Sequence, residues 1–161
     1  MTGGVLAFVG LGSNEADPPR QLDAALAALA ALPDTQLHRA SPRYVTAPFG
    51  PVPQPDFLNG VVSLWTSMSP TALLYALHDI EASQGRVRSI RWGPRTLDLD
   101  LLLHGDARVA SPSLTLPHPG IAQRNFVLYP LRDIAPDLVI PGCGRVSDLA
   151  AQVGAEGIRP E

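Results

Sequence analysis

Apolar and polar residues switch repeatedly between two periods along this chain. Residues 5–11, Val-Leu-Ala-Phe-Val-Gly-Leu, form a short apolar run closed by Gly12-Ser13-Asn14, the pattern of a buried strand entering a turn. Asp17 followed by Pro18 and Pro19 predicts a helix start, and Leu22, Leu26 and Leu29 then recur at helical spacing up to Pro33. Residues 36–45 carry a weaker extended pattern. Pro48, Pro51, Pro53 and Pro55 follow, a density that excludes helix and central strand, so 46–56 is predicted as a long surface loop. From Leu58 the chain alternates, with Leu58, Gly60, Val62 and Leu64 on one face and Asn59, Val61, Ser63 and Trp65 on the other. Ser69-Pro70 repeats the capped helix start, Leu73, Leu77 and Ile80 supply the apolar stripe, and Gly85 ends it. Residues 85–95 have glycines near both ends and no helical period, which predicts a loop. Leu97–Leu103 reads as a strand with leucines on one face and Asp98 and Asp100 on the other.

The order strand, helix, strand, strand, helix, strand predicts an α+β fold with a ferredoxin-like βαββαβ core. That is an antiparallel sheet with two helices on one face, here followed by a C-terminal extension. Within the extension, Val109, Leu114 and Leu116 predict a short hairpin, 124–132 a short helix ended by Pro136, and 146–153 a last helix. No repeat or linker divides the chain, so residues 1–161 are expected to form one domain.

Composition narrows the function classes. Hydrophobic residues make up 45% of the 161 positions, enough for a core without disulfides or a structural metal. Cys143 stands alone, which excludes an intrachain disulfide framework and any multi-cysteine zinc site. The most apolar run, 22–32, contains Asp23 and ends at Pro33, and the N-terminus lacks a basic leader, so a cytoplasmic protein with no membrane partner is expected. A net charge of −3 argues against a nucleic-acid partner. No extra apolar surface demands a dimer, so a monomer is expected. All 12 basic residues are arginine, and Arg86, Arg88, Arg91 and Arg95 fall together just before Asp98 and Asp100. One concentrated arginine cluster in an acidic chain points to a local anion site rather than a basic face.

Asp98 and Asp100 carry the sharpest chemical signal. At i, i+2 on a strand their side chains share a face, with Cα atoms about 6.7 Å apart. Two carboxylates there are costly without a cation between them, and Mg²⁺ suits two carboxylates completed by phosphate and water. A solvated edge strand is the bland alternative; the flanking arginines favour phosphoryl transfer, which needs both metal and guanidinium. Trp92, within Arg91-Trp92-Gly93-Pro94-Arg95-Thr96, offers a flat face for a heterocycle or a cation.

The run from Arg91 to Leu102 resembles the signature of the 6-hydroxymethyl-7,8-dihydropterin pyrophosphokinase (HPPK) family of folate biosynthesis. Gly10-Leu11-Gly12-Ser13-Asn14, the Gly-Pro…Gln-Pro-Asp-Phe-Leu-Asn run at 50–59, Gln84-Gly85-Arg86-Val87-Arg88, Pro117-His118 and Arg124-Asn125-Phe126 resemble the same family in the same order. The likeness covers roughly residues 5–140 and implies a transferase: the pterin hydroxymethyl oxygen attacks the β-phosphorus of ATP and AMP leaves. It implies two Mg²⁺ ions on Asp98 and Asp100, Arg86 and Arg95 neutralising the transferring group, and Arg88 holding nucleotide. ATP contacts are further implied for His78, Glu81, Trp92, Leu101, Thr115, His118 and Arg124. Pterin contacts are implied for Gly12, Asn59, Asp98, the Thr46-Ala47…Phe49 backbone and Trp92, with Phe57 and Phe126 stacking on the ring. No dedicated general base is evident, so catalysis would rest on positioning and electrostatics. The two long loops, 46–56 and 85–95, would close over bound ATP. Ala47, Ser113, Pro119 and a shortened stretch at 88–91 depart from the family pattern; these changes bear on nucleotide affinity and loop kinetics rather than on the reaction type. Three other readings compete: an RNA-binding ferredoxin-like module, another Mg²⁺-dependent phosphoryl-transfer or phosphoesterase site on the same scaffold, and an inactive relative.

Overall fold

The computed structural model describes residues 4–48, 51–84 and 96–161. The elements, in chain order, are β1 (Val5–Ser13), α1 (Pro18–Ala30), β2 (Thr35–Ala40), β3 (Tyr44–Thr46), β4 (Phe57–Thr66), α2 (Pro70–Ser83) and β5 (Asp98–His104). The remainder comprises β6 (Val109–Ala110), β7 (Thr115–Leu116), α3 (Asn125–Ile134), β8 (Val139–Ile140), β9 (Gly144–Arg145), α4 (Val146–Val153) and β10 (Ile158–Pro160). Both early helices begin at a proline, as the chain pattern predicts. Ser69 caps α2 through its Oγ, which accepts the N–H of Ala72 at 3.1 Å. Asp17 precedes α1 with φ of 64° and makes no such side-chain bond, so α1 starts on its prolines rather than on an acidic cap.

The main sheet runs β10-β3-β4-β1-β5, with β2 pairing the far half of β4, and every pairing is antiparallel. The weak extended stretch is thus two strands against one long partner. Ser41 marks the break: its backbone N–H donates to Val61 O, while its Oγ accepts the Val61 N–H, both at 2.9 Å. Pro42 then interrupts the ladder, having no N–H to give. Thr46, read from sequence as the start of the loop, closes β3 opposite Phe57.

Two cores flank the sheet. Ala7, Val9, Leu11, Leu58, Val62, Leu64, Leu99 and Leu101 pack beneath α1 and α2, whose Leu22, Leu29, Leu73 and Leu77 are fully buried. Phe8, Val61, Leu102 and Leu103 pack on the opposite side with Leu128 and Leu131 of α3 and Val146 and Ala150 of α4. The ferredoxin-like core is present, but helices cover both faces, not one. The C-terminal extension is therefore a third layer, held by burial of the apolar sides of α3 and α4. Its last residues add β10 to the β3 edge.

Candidate active site

Strand register builds the site from the sheet outward. Asp98 lies opposite Gly12 and Asp100 opposite Gly10 across β5 and β1, while Gly12 lies opposite Asn59 across β1 and β4, and Asn59 opposite Tyr44 across β4 and β3. Residues directly opposite share a face. One row thus crosses the sheet as Asp98, Gly12, Asn59 and Tyr44, on the side that carries α3. Phe57 and Thr46 stand on the same side by the two-residue period.

The glycines in this row leave room above the sheet. A Cβ on Gly12 would stand 2.7 Å from Asn59 Nδ2, closer than side-chain atoms tolerate. The Asn59 amide lies across that space, and its orientation is set from two sides. Thr46 Oγ1 donates to Asn59 Oδ1 at 2.6 Å, and Asn59 Nδ2 donates to Leu11 O at 3.4 Å. Tyr44 anchors the end of the row: its hydroxyl donates to Asp133, and burial, followed by that carboxylate, pushes its pKa up to about 12.

Asp98 and Asp100 are both half-buried, on the face opposite Leu99 and Leu101. Hard carboxylate oxygens above a floor of glycine suit a small hard cation that takes its remaining ligands from phosphate and water. Among the described residues no group of three or more His, Cys, Asp or Glu side chains gathers to enclose a metal, so these two carboxylates fit an open site rather than a protein cage.

His118 lies near enough to Asp98 and to Arg124 to feel the charge of each. Burial holds the His118 imidazole below its ordinary pKa; the Arg124 guanidinium adds to this, and Asp98 opposes both. His118 Nδ1 accepts the Gly120 N–H at 3.1 Å, which leaves the proton of the neutral ring on Nε2. Arg124 folds back over Gly120, where a Cβ would stand 2.5 Å from its Nε, and its guanidinium lies 5.9 Å from the Phe126 ring centre. Phe126 is half-buried and packs on the α3-side core. Gly12, Asn59, Thr46, Phe57, Phe126, Asp98, Asp100, His118 and Arg124 thus belong to one side of the molecule.

Other expected nucleotide contacts are placed differently. Leu101 sends its side chain into the core under α1 and α2, away from the aspartates, so any ligand contact there runs through its backbone. Glu81 does not lie on a solvated helix face; it is 3% exposed, and its Oε2 accepts the Leu99 N–H at 2.8 Å. It ties α2 to the outer edge of β5, beneath the aspartates. His78, three residues earlier, is exposed and meets the Tyr75 ring edge. Thr115 is exposed on β7. Ala47 follows β3 and gives its N–H to Gly157 O. Phe49, Arg86, Arg88, Trp92 and Arg95 lie outside the described residues, as does the whole 85–95 stretch.

Sequence patterning missed the residues that brace this side. Asn14 is buried, and its Nδ2 donates to Gln54 Oε1 at 2.8 Å and Pro55 O at 3.0 Å, holding the proline-rich segment over the end of β1. Thr96 Oγ1 donates to Glu15 Oε1 at 2.9 Å, joining the entry of β5 to the turn after β1. Gln84 Nε2 donates to Gln21 Oε1 at 2.7 Å and joins the end of α2 to α1. Asn14 and Gln54 were visible only as members of motifs; no periodicity marks a bond between residues forty positions apart.

Comparison with known proteins places the chain in a family. A family model described as 7,8-dihydro-6-hydroxymethylpterin-pyrophosphokinase (HPPK) matches residues 8–136. A Pseudomonas aeruginosa protein named 2-amino-4-hydroxy-6-hydroxymethyldihydropteridine pyrophosphokinase is 51% identical over 151 residues, covering 94% of this chain and 93% of that one. A Haemophilus influenzae protein of the same name is 45% identical over 148 residues, 92% of each chain. Among solved structures, an HPPK-DHPS in complex with substrates superposes on 99% of this chain with a TM-score of 0.79 at 11% identity, and wild-type Plasmodium falciparum HPPK-DHPS on 98% with a TM-score of 0.72 at 14%. This chain spans 47% and 48% of those two longer chains, and at such identities the likeness concerns the fold alone.

Proposed function

The chain belongs to the 7,8-dihydro-6-hydroxymethylpterin-pyrophosphokinase family, and we propose that it transfers pyrophosphate from ATP to the hydroxymethyl group of 6-hydroxymethyl-7,8-dihydropterin in folate biosynthesis. In this reaction the hydroxymethyl oxygen bonds to the β-phosphorus, the bond from that phosphorus to the α,β-bridging oxygen breaks, AMP leaves with the bridging oxygen, and the hydroxyl proton is released. The observation that carries the reading is the cross-strand row: Asp98, Gly12 and Asn59 stand side by side on one sheet face. A carboxylate pair for a metal–phosphate and an oriented amide for a heterocycle edge are thereby brought together across a floor of glycine.

Asp98 and Asp100 are assigned as the ligands of Mg²⁺, two ions by the family resemblance. The bound ions would supply positive charge to the phosphate oxygens and so reduce the repulsion met by the incoming hydroxyl. Asn59, oriented by Thr46, reads the polar edge of the pterin, and Phe57 and Phe126 provide its stacking faces. His118, as the neutral Nε2–H tautomer, offers a hydrogen-bond donor beside Arg124 at the nucleotide end. Arg86 and Arg95 are assigned to the transferring group, and Arg88 and Trp92 to the nucleotide, on the sequence motif. Positioning by these groups supplies the acceleration that a general base would otherwise contribute. The working unit is proposed to be a cytoplasmic monomer. An RNA-binding role is disfavoured, because α3 and α4 pack over part of the sheet face on which an RNA-recognition sheet stacks its bases.

A product assay tests the reading. The pure protein is incubated with ATP, Mg²⁺ and 6-hydroxymethyl-7,8-dihydropterin, and AMP is resolved from ADP and phosphate. AMP formed only when the pterin is present is the expected result; ADP or free phosphate instead would overturn it.

A further inference from the structure

Asn125 opens α3 immediately before Phe126, yet its side-chain amide bonds outside that helix. Its Nδ2 donates to Gly154 O at 3.0 Å and to Glu156 O at 2.7 Å, so both amide hydrogens are spent on the segment after α4. That segment turns at Gly154 and Gly157, whose φ values of 80° and 82° lie in the left-handed region that favours glycine. It then enters β10, where Ile158 pairs with Thr46, Arg159 with Val45 and Pro160 with Tyr44. Two further backbone bonds extend the seam: Ala47 N–H to Gly157 O at 3.1 Å and Glu161 N–H to Arg43 O at 3.0 Å.

One stretch of eight residues therefore grips both walls of the proposed pterin site. Asn125 fastens it to the helix start that carries Phe126. β10 fastens it to the short strand that carries Thr46, the residue that orients Asn59. β3 is three residues long and has only β4 on its other side; Tyr44 holds its start through Asp133, but without β10 its Thr46 end would be an unpaired edge. The Ala47 N–H would also lose its acceptor, so the backbone beside the pterin edge would be free to turn. The exposed pair Arg159–Asp56, at 3.7 Å, adds little to this.

We propose that residues 154–161, clamped by Asn125, position the pterin-binding wall and set affinity for the pterin far more than for ATP. The proposal rests on the pterin site assigned above. Asn125 acts through Phe126 and Thr46 and is a positioning residue, not a catalytic one.

The test compares the parent chain with Asn125→Ala and with a truncation ending at Gly154. Pterin and ATP-analogue dissociation constants, KM for each substrate, kcat, and hydrogen exchange at the Ala47 amide are measured. Both changes are expected to raise pterin Kd and KM about ten-fold through lost preorganisation, to speed exchange at Ala47, and to change ATP affinity and kcat at saturating pterin far less. Faster exchange at Ala47 with unchanged pterin affinity would overturn the proposal, as would equal loss of both substrates, which marks a merely structural role. The truncation leaves α3 intact and decides the matter if Asn125→Ala does not fold. Phe126→Ala separates the two readings: if it binds pterin normally, the site assignment is wrong; if it fails to bind while Asn125→Ala binds normally, only the tail proposal is wrong.

Discussion

The Asn59 side-chain amide lies across the backbone of Gly12, with its Nδ2 2.7 Å from the point where a Cβ on Gly12 would stand. The two residues are cross-strand partners, so the missing side chain of one is the space used by the other. Gly12→Ala is expected to push the Asn59 amide off its Thr46 and Leu11 partners while leaving the sheet intact. Pterin KM should rise about ten-fold or more, equivalent to roughly 1.4 kcal/mol, with ATP KM unchanged. Steady-state kinetics with each substrate varied separately is the check, and equal effects on both substrates would count against the assignment of Asn59.

Asp98→Ala and Asp100→Ala should each lower turnover by about a thousand-fold or more, the scale of losing preorganised charge at a phosphoryl-transfer site. Neither carboxylate is part of a packed core, so thermal unfolding of both variants should stay near that of the parent. Adding EDTA to the parent should stop the reaction, and Mg²⁺ in excess should restore it. Full turnover in chelator would remove the metal role.

Glu81 is buried with its carboxylate on the Leu99 N–H. Glu81→Ala leaves that edge N–H without its side-chain acceptor and should cost about 1–3 kcal/mol of stability. Glu81→Gln keeps an oxygen at the position and should recover part of the loss. Urea unfolding of both variants is the measurement. Equal stability of the alanine variant and the parent would show that the bond contributes nothing.

His118 gives the protein a definite acid response. Its folded pKa is lowered, chiefly by burial and then by Arg124, so below about pH 6.5 the unfolded chain binds a proton that the folded chain still refuses. Its contribution to stability therefore falls as pH drops through the unfolded value and levels off once the folded ring is protonated. His118→Asn retains an oxygen acceptor near the Gly120 N–H and does not titrate. Urea unfolding at pH 7.5 and pH 5.5, values chosen to bracket the unperturbed His pKa of about 6.5, should show a smaller loss in the variant than in the parent.

Much of the scaffold was readable from local pattern. The alternation at 58–65 assigned each side chain of β4 to its face, and Leu97–Leu103 placed both aspartates together on one side of β5. Both early helices begin where a polar residue meets proline. The weak stretch at 36–45 was harder, because its break at Ser41 and Pro42 has meaning only against the unbroken partner strand β4. The two later helices were legible at 124–132 and 146–153, but their place over the second sheet face was not, for a related reason. The stripe of α3 is short and contains Pro130, and nothing local says which layer it covers.

The sequence by itself determined the order of elements from β1 to β5 apart from the break within 36–45, the two later helices, the shared face of Asp98 and Asp100, the family motif and, with one cysteine, the absence of an intrachain disulfide. Those depend on residue identity and on periods of two or 3.6, which act over one turn or one pleat. Tertiary structure alone decided that Asp98 stands beside Gly12 and Gly12 beside Asn59, that Glu81 is buried on the Leu99 amide, and that the last eight residues join Asn125 to β3. Each of these is a contact between positions far apart in the chain, fixed by strand register and by which face the helices cover. Register comes from the whole set of buried apolar side chains settling at once, and no single segment contains that information.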